Sequence, residues 1–251
     1  MNAADHSMIE QENRRLELLS PEDRLRFAIE MWGRELLFTS SFGAGSAVLL
    51  HLWSEVGWGA PGERLPVVFL DTGFLFDETL AYRDVLAERL GLNVVTVKPT
   101  EERDDFLIRH GADIQQTNPD LCCATNKVAP LAPLLKTAKA WVSGLRRDQS
   151  PTRKNTPILL PTEDDADNHY VKVHPLATMT AGEVVDYMQR HALPEHPLRA
   201  RRYLSIGCSP CTSPIEEGQD ERSGRWAGRG KTECGLHSHA LATTVSTTSG
   251  E

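Results

Sequence analysis

The segment ELLFTSSFGAGSAVLLHLWSEV, residues 35–56, decides the architecture. From Leu36 to Trp53 it contains no Asp, Glu, Lys or Arg. A membrane span needs roughly 20 mostly apolar residues. This run is interrupted by Thr39, Ser40, Ser41, Gly43, Gly45 and Ser46. It therefore reads as a buried strand over 35–42, a small-residue loop over 40–46, and an apolar helix over 44–56. Small residues let backbone amides approach an anion, the helix N-terminus adds partial positive charge, and serine hydroxyls supply donors. The loop matches neither G-x-x-x-x-G-K-[ST] nor G-x-G-x-x-G, so it is neither a Walker nor a dinucleotide loop. Its spacing leaves a phosphate cradle and a plain tight turn both open.

Working outward, Ser20-Pro21-Glu22-Asp23 is a helix start: a cap, a proline at the first position and acids in the first turn. Leu25, Ala28, Ile29 and Trp32 share the inner face of that helix. Residues 66–71 (PVVFLD) read as a short strand ending in the turn Thr72-Gly73, 77–90 as a helix, and 93–97 and 140–144 as further strands. Strands alternating with helices predict an α/β fold, a Rossmann-like parallel sheet flanked by helices on both faces. Ligands of such sheets sit outside the carboxyl ends of the strands. Three loops fall there: 40–46, 71–74 and 145–154. The third carries Arg146, Arg147, Arg153 and Lys154 directly after a strand, where guanidinium groups can fork onto phosphate or sulfate oxygens. A solvated charge run is the bland alternative. Residues 162–169 read as an acidic surface loop, 215–232 as a mobile arm poor in apolar residues, and the last stretch as disordered.

The chain has 251 residues, 40% hydrophobic and 25% charged, with a net charge of −8. That balance is ordinary for a soluble globular protein and unlike a general nucleic-acid or anionic-membrane binder. The N-terminus carries an acid early and no apolar core, so it does not read as a signal peptide. The expected compartment is the cytoplasm, where thiols stay reduced and clustered cysteines favour metal binding or catalysis over disulfides.

Five cysteines follow a pattern. Cys122 and Cys123 are adjacent, Cys208 and Cys211 form a C-x-x-C, and Cys234 stands apart in Glu233-Cys234-Gly235-Leu236-His237. Thiolates ligate zinc or iron–sulfur iron. Helix neighbours are turned about 100° from each other, which suits two irons of one cluster better than one tetrahedral zinc. Zinc and unligated core cysteines stay open. Lys127, one turn after Cys123, would sit favourably beside a negative thiolate cluster, or is a surface lysine. Cys234 has His237 three residues on and Arg222, Arg225, Arg229 and Lys231 before it. That neighbourhood suits an activated nucleophile; the alternative is a solubilising tail.

Taken together, SSFGAGSAVLLHL, VVFLDTGFLFDET, LCCATNKVAPL, WVSGLRRDQSPTR, IGCSPC and ECGLH resemble the sulfonucleotide (APS/PAPS) reductase family, over residues 36–237. The paired cysteines and C-x-x-C resemble its adenylylsulfate (APS) branch, in which Cys122, Cys123, Cys208 and Cys211 would bind a 4Fe–4S cluster with Lys127 behind them. Asn126 departs from the family's usual Arg. The resemblance implies a fold related to PP-loop nucleotide hydrolases. Gly45 stands where the ATP-cleaving members carry Asp, which argues against ATP cleavage. It divides the chain into an N-terminal helical segment (1–33), a nucleotide-binding α/β domain with the first cluster cysteines (34–207), a C-x-x-C and catalytic arm (208–237) and a disordered tail (238–251). It implies Ser40, Ser41, Gly43, Ser46, Asp71, Thr72 and Gly73 around the nucleotide, with Arg146, Arg147, Arg222, Arg225 and His237 around the phosphosulfate. Cys234 would attack sulfur, giving an S-sulfonate that thioredoxin releases as sulfite, in the assimilation of sulfate toward cysteine. The rivals are a PAPS or dual-specificity reductase, an ATP-dependent iron–sulfur tRNA thiolase, and a non-catalytic metal-binding or redox-sensing module.

Overall fold

A computed structural model describes residues 3–56, 65–162 and 169–236. Six strands form one sheet: β1 (Leu36–Ser40), β2 (Val67–Leu70), β3 (Val94–Val97), β4 (Ala140–Val142), β5 (Leu159–Pro161) and β6 (Val171–Val173). Their order is β3-β2-β1-β4-β6-β5, all parallel except the β5–β6 pair. The chain leaves β1 for β2 on one side and reaches β4 on the other. The reversal between β1 and β4 opens a crevice at their carboxyl ends.

Side chains alternate across the sheet with period two. Phe38, Val67, Phe69, Ala140, Val142 and Val173 enter the larger core. The helices of the described residues include α1 (Ala3–Leu16), α2 (Pro21–Trp32), α3 (Ser46–Glu55), α5 (Arg103–His110), α6 (Ile114–Thr117) and α9 (Ala181–Arg190), and the core residues meet α2, α3 and α9. Leu37, Val68, Val97 and Trp141 point the other way, onto Leu131 and Leu135 of α8 (Ala129–Leu135). Helix α3 is apolar nearly all round because it is wedged among α2, α4 (Asp77–Leu90) and α9. Its Leu50 has no exposed surface, a burial worth about 2 kcal/mol.

The strand read over 35–42 ends at Ser40, and the helix read from 44 starts at Ser46. The cause is Phe42, whose φ is 48°. A left-handed backbone at a bulky residue costs roughly 1–2 kcal/mol. Here the ring is fully buried, edge-on to Phe69 at 5.4 Å.

Before α8 the cysteine segment runs as α7 (Pro119–Cys123) and one π-helical stretch (Ala124–Val128). Such π turns are rare and concentrate at functional sites. Residues 215–232, read as a mobile arm, are tied to the body at several points. Thr212 bridges Arg225, Ser213 N–H donates to Gly224 O at 2.8 Å, and Trp226 N–H donates to Cys211 O at 3.1 Å. Ile215 and the 2% exposed Trp226 anchor the segment. The sequence reading undervalued these two apolar residues among many polar ones. The expected acidic loop over 162–169 lies mostly, and the tail 238–251 wholly, outside the described residues, as does His237. No helix among the described residues is long and apolar enough to cross a membrane.

Candidate active site

A cleft opens at the carboxyl ends of β1, β2 and β4. Ser40, Ser41, Gly43, Gly45 and Ser46 form its floor, with Thr72 and Ser143 from the ends of β2 and β4. Arg146 reaches over this floor. Its Nη1 would lie 3.1 Å from a Cβ at position 45, so glycine there lets the guanidinium approach the backbone. The opposite wall is the C-terminal segment, which contributes Glu221, Arg222, Arg225, Trp226 and Cys234. Lys127 and Arg153 complete the lining cations. Gly207 matters for the same reason as Gly45: a Cβ there would collide with the Arg225 guanidinium.

The cations are held in distinct ways. Arg146 is 2% exposed and donates to Asp148 at 3.0 Å and to Glu221 at 2.5 Å. Arg153 forks onto Glu233 at 2.7 and 2.6 Å. Arg222 donates to the same carboxylate at 2.9 Å, and burial, reinforced by Arg153, brings its pKa down to about 10. Arg225 lies over the Trp226 ring at 4.5 Å, within cation–π range. Burial works against the Lys127 ammonium, but the Cys208, Cys234 and Cys123 thiol groups around it hold its pKa above the usual lysine range.

A second cavity lies behind the first. Cys122, Cys123, Cys208 and Cys211 all line it, and all are buried and free of disulfides. Thr72, Lys127 and Trp226 line both cavities and so form the partition between them. Donors face three of the four sulfurs: Thr72 Oγ1 stands 3.3 Å from Cys208, Asn126 Nδ2 3.7 Å from Cys122, and Arg229 Nη1 3.9 Å from Cys211. The thiols differ in proton affinity. Burial, then Cys208, pushes Cys122 up to about 12. Burial also raises Cys208, but Lys127 and the Thr72 hydrogen bond outweigh it and hold that thiol below its ordinary value. The buried Trp226 indole N–H has no hydrogen-bond partner among the described residues. Donors aimed at sulfur and an unsatisfied N–H suit a sulfur-rich anionic group in this cavity. Among the described residues, no three His, Cys, Asp or Glu are grouped to hold a single metal ion. Asn126, at the departing position, donates back to Cys122 O at 3.1 Å inside the π turn.

The cleft thus gathers Ser40, Ser41, Gly43, Ser46, Thr72, Lys127, Arg146, Arg222, Arg225 and Cys234. It does not gather three others. Asp71 turns back to accept from its own Gly73 N–H at 3.0 Å and faces Lys98 at 3.9 Å, so neither Asp71 nor Gly73 lines the cleft. Arg147 points away: it donates to Thr156 O at 2.7 Å and pairs with Glu17. That hydrogen bond lowers the Glu17 pKa. Arg153, Glu221, Trp226, Gly207 and Glu233 were missed as site residues. For Arg153 a signal existed, since the 145–154 loop was already singled out. Two 3₁₀ turns (Arg147–Gln149 and Pro151–Arg153) bring position 153, rather than 147, to the cleft.

A cation-lined cleft at the switch point of a parallel sheet, with a thiol at its edge, has the chemistry expected of the class of nucleotide-binding enzymes that act through a cysteine. Within that class, the phosphoadenosine phosphosulfate reductase domain family matches residues 35–214, and the chain belongs to it. Among its relatives is the adenosine 5'-phosphosulfate reductase of Mesorhizobium japonicum, 46% identical over 86% of this chain and 81% of that one. The enzyme of the same name from Streptomyces coelicolor is 41% identical over 92% and 94%. The phosphoadenylyl-sulfate reductase of Candida auris, solved as a phosphate complex, superposes with a TM-score of 0.69 at 26% identity, over 82% of this chain and 96% of that one. The FMN adenylyltransferase of Candida glabrata shares the fold alone, with a TM-score of 0.54 at 18% identity over 84% and 70%.

Proposed function

We propose that the chain reduces adenosine 5'-phosphosulfate to sulfite and AMP in the cytoplasm, with Cys234 as nucleophile and a thioredoxin-type dithiol as reductant. The observation that carries this reading is Cys234 in the same cleft as the Ser–Gly loop and five cationic side chains. The Cys234 thiolate attacks the sulfonate sulfur. An S–S bond forms, the S–O bond to AMP breaks, and AMP leaves with the electron pair. A reductant thiolate then attacks Cys234 Sγ, and sulfite leaves with the electrons of the S–S bond. The second reductant thiol resolves the mixed disulfide and returns Cys234.

The barrier to the first step is anion meeting anion. Fixed cations lower it, and preorganised charge is often the largest catalytic effect. Phosphate is already a stable leaving group, so no proton donor is required at the bridging oxygen. Arg146 above Gly45 and the serine hydroxyls orient the phosphosulfate, while Lys127 and Arg225 face the sulfonate. His237 is assigned to the same closure on sequence alone.

Cys122, Cys123, Cys208 and Cys211 would hold a 4Fe–4S cluster. One thiolate per iron spreads the ligands wider than one tetrahedral ion, and the four thiols line one cavity. The cluster would supply a clamp between α7 and the C-x-x-C turn and a fixed charge behind Lys127. Both electrons of the reaction come from thiols.

Mass spectrometry of the protein mixed with adenosine 5'-phosphosulfate and no reductant tests the central step. One sulfonate on Cys234 and one equivalent of AMP are expected, and neither from Cys234→Ser. Absence of both from the native protein sinks the reading. Parallel steady-state assays with the 3'-phosphorylated nucleotide separate it from a PAPS reductase.

A further inference from the structure

The residue before the nucleophile accepts three hydrogen bonds from two arginines. Glu233 Oε1 accepts from Arg153 Nε at 2.7 Å, and Oε2 accepts from Arg153 Nη2 at 2.6 Å and Arg222 Nη2 at 2.9 Å. Arg222 also donates to Thr232 O at 2.8 Å. The three side chains are 16%, 8% and 11% exposed. Bidentate charge-assisted bonds away from water are strong and geometrically specific. The Arg202–Glu216 pair of the same segment is the contrast, at 3.3 Å with side chains 51% and 82% exposed, where an ion pair contributes little.

The clasp also joins two walls. Arg153 belongs to the turn after β4, and its Nη1 is fixed by Gln149 Oε1. Arg222 and Glu233 belong to the C-terminal segment. On the other side of Cys234, Gly235 lies against Val128, whose Cγ2 would be 3.1 Å from a Cβ at 235. The thiol is thus bracketed by one ionic and one steric contact. Glu233 offsets one of the two positive charges of Arg153 and Arg222, so the clasp keeps a net positive charge at the cleft.

We infer that Glu233 is a positioning residue: clasped by Arg153 and Arg222, it seats Cys234 in the cleft, and opening of the clasp exposes the thiol. This deepens the proposed reaction, which needs Cys234 first at the nucleotide and then at a reductant. It is testable without that reaction.

In the full chain as purified, without nucleotide, the rate of iodoacetamide modification at Cys234 is read by peptide mapping. Glu233→Gln and Arg153→Lys should each raise it about tenfold, while Glu216→Gln leaves it unchanged. The double variant Glu233→Gln/Arg153→Lys should react no faster than Glu233→Gln, as expected for one shared contact. A wild-type rate in both single variants, or multiplied effects in the double, overturns the inference. If Glu233→Gln does not fold, Arg153→Lys decides alone. A second readout is specific to position. With adenosine 5'-phosphosulfate, Glu233→Gln should form the S-sulfonate at least tenfold more slowly, yet release sulfite to dithiothreitol at the native rate or faster. Equal slowing of both steps would mean a merely structural role. If the native protein forms no S-sulfonate while the alkylation pattern holds, the clasp stands and the reaction assigned above falls.

Discussion

On one side of the cleft, Ser40, Ser41, Gly43 and Ser46 offer hydroxyls and backbone amides on a loop fixed between β1 and α3. On the other, residues 221–234 offer Arg222, Arg225 and Cys234 on a segment with little regular structure beyond two cross-links to 211–213. The first wall is preorganised by the core and carries almost no charge; the second is charged and held mainly by polar bonds. Substitutions beneath the sheet wall should therefore move stability, and those in the segment should move activity.

The comparison breaks most sharply at α3. Leu50→Ala leaves a cavity beneath the loop and should cost about 3 kcal/mol in denaturant unfolding, with kcat within about twofold of native. A large kcat loss would mean that the loop is less independent than its packing indicates.

Acid sharpens the same point. His174, just past β6, is buried with Nδ1 2.9 Å from Pro157 O and Nε2 without a partner among the described residues. Burial, despite that hydrogen bond, depresses its pKa to about 4, with Lys172, Arg153 and Arg147 adding to the depression. The unfolded chain binds this proton near pH 6.5 and the folded one only near 4. The contribution to stability is complete above 6.5 and falls away as pH drops toward 4, by up to about 3 kcal/mol. Across that window the denaturant midpoint of wild type should fall further than that of His174→Gln.

On the opposite wall, Arg225→Ala should lower kcat/KM by about 30-fold while shifting unfolding by less than about 1 kcal/mol. Smallest is Thr180→Ala. It removes the capping box in which Thr180 and Glu183 satisfy each other's backbone at the start of α9, and should cost about 1 kcal/mol with no change in activity.

Where local signals were strong, the sequence was legible. The charge-free run from Leu36 produced β1, the loop and α3; PVVFLD and AWVSG produced β2 and β4. Strands β5 and β6 are less legible than the equally short β4, because β5 ends in Pro161 and β6 has Lys172 at its centre, which spoils the signature of a short buried strand. Helix α9 is different: its T-x-x-E start at Thr180–Glu183 is a readable cap that went unread. In the site, cysteine spacing identified the four thiols that share a cavity. It could not identify which of Arg146, Arg147 and Arg153 face inward, because two consecutive 3₁₀ turns set that direction. Nor could it find Glu233, whose partners lie 80 and 11 positions away.

The anchored Trp226 also sets a leash. Its ring is buried and its backbone N–H is tied to Cys211 O, so on opening of the inferred clasp the eight residues from 227 to 234 can pay out. Fully stretched, they reach about 27 Å. Gly228 and Gly230, with φ of 75° and 64°, give that tether its swivels. For the reaction proposed above, that length sets where a thiol reductant would meet Cys234: at the rim of the cleft, on the side where the partition tryptophan is moored.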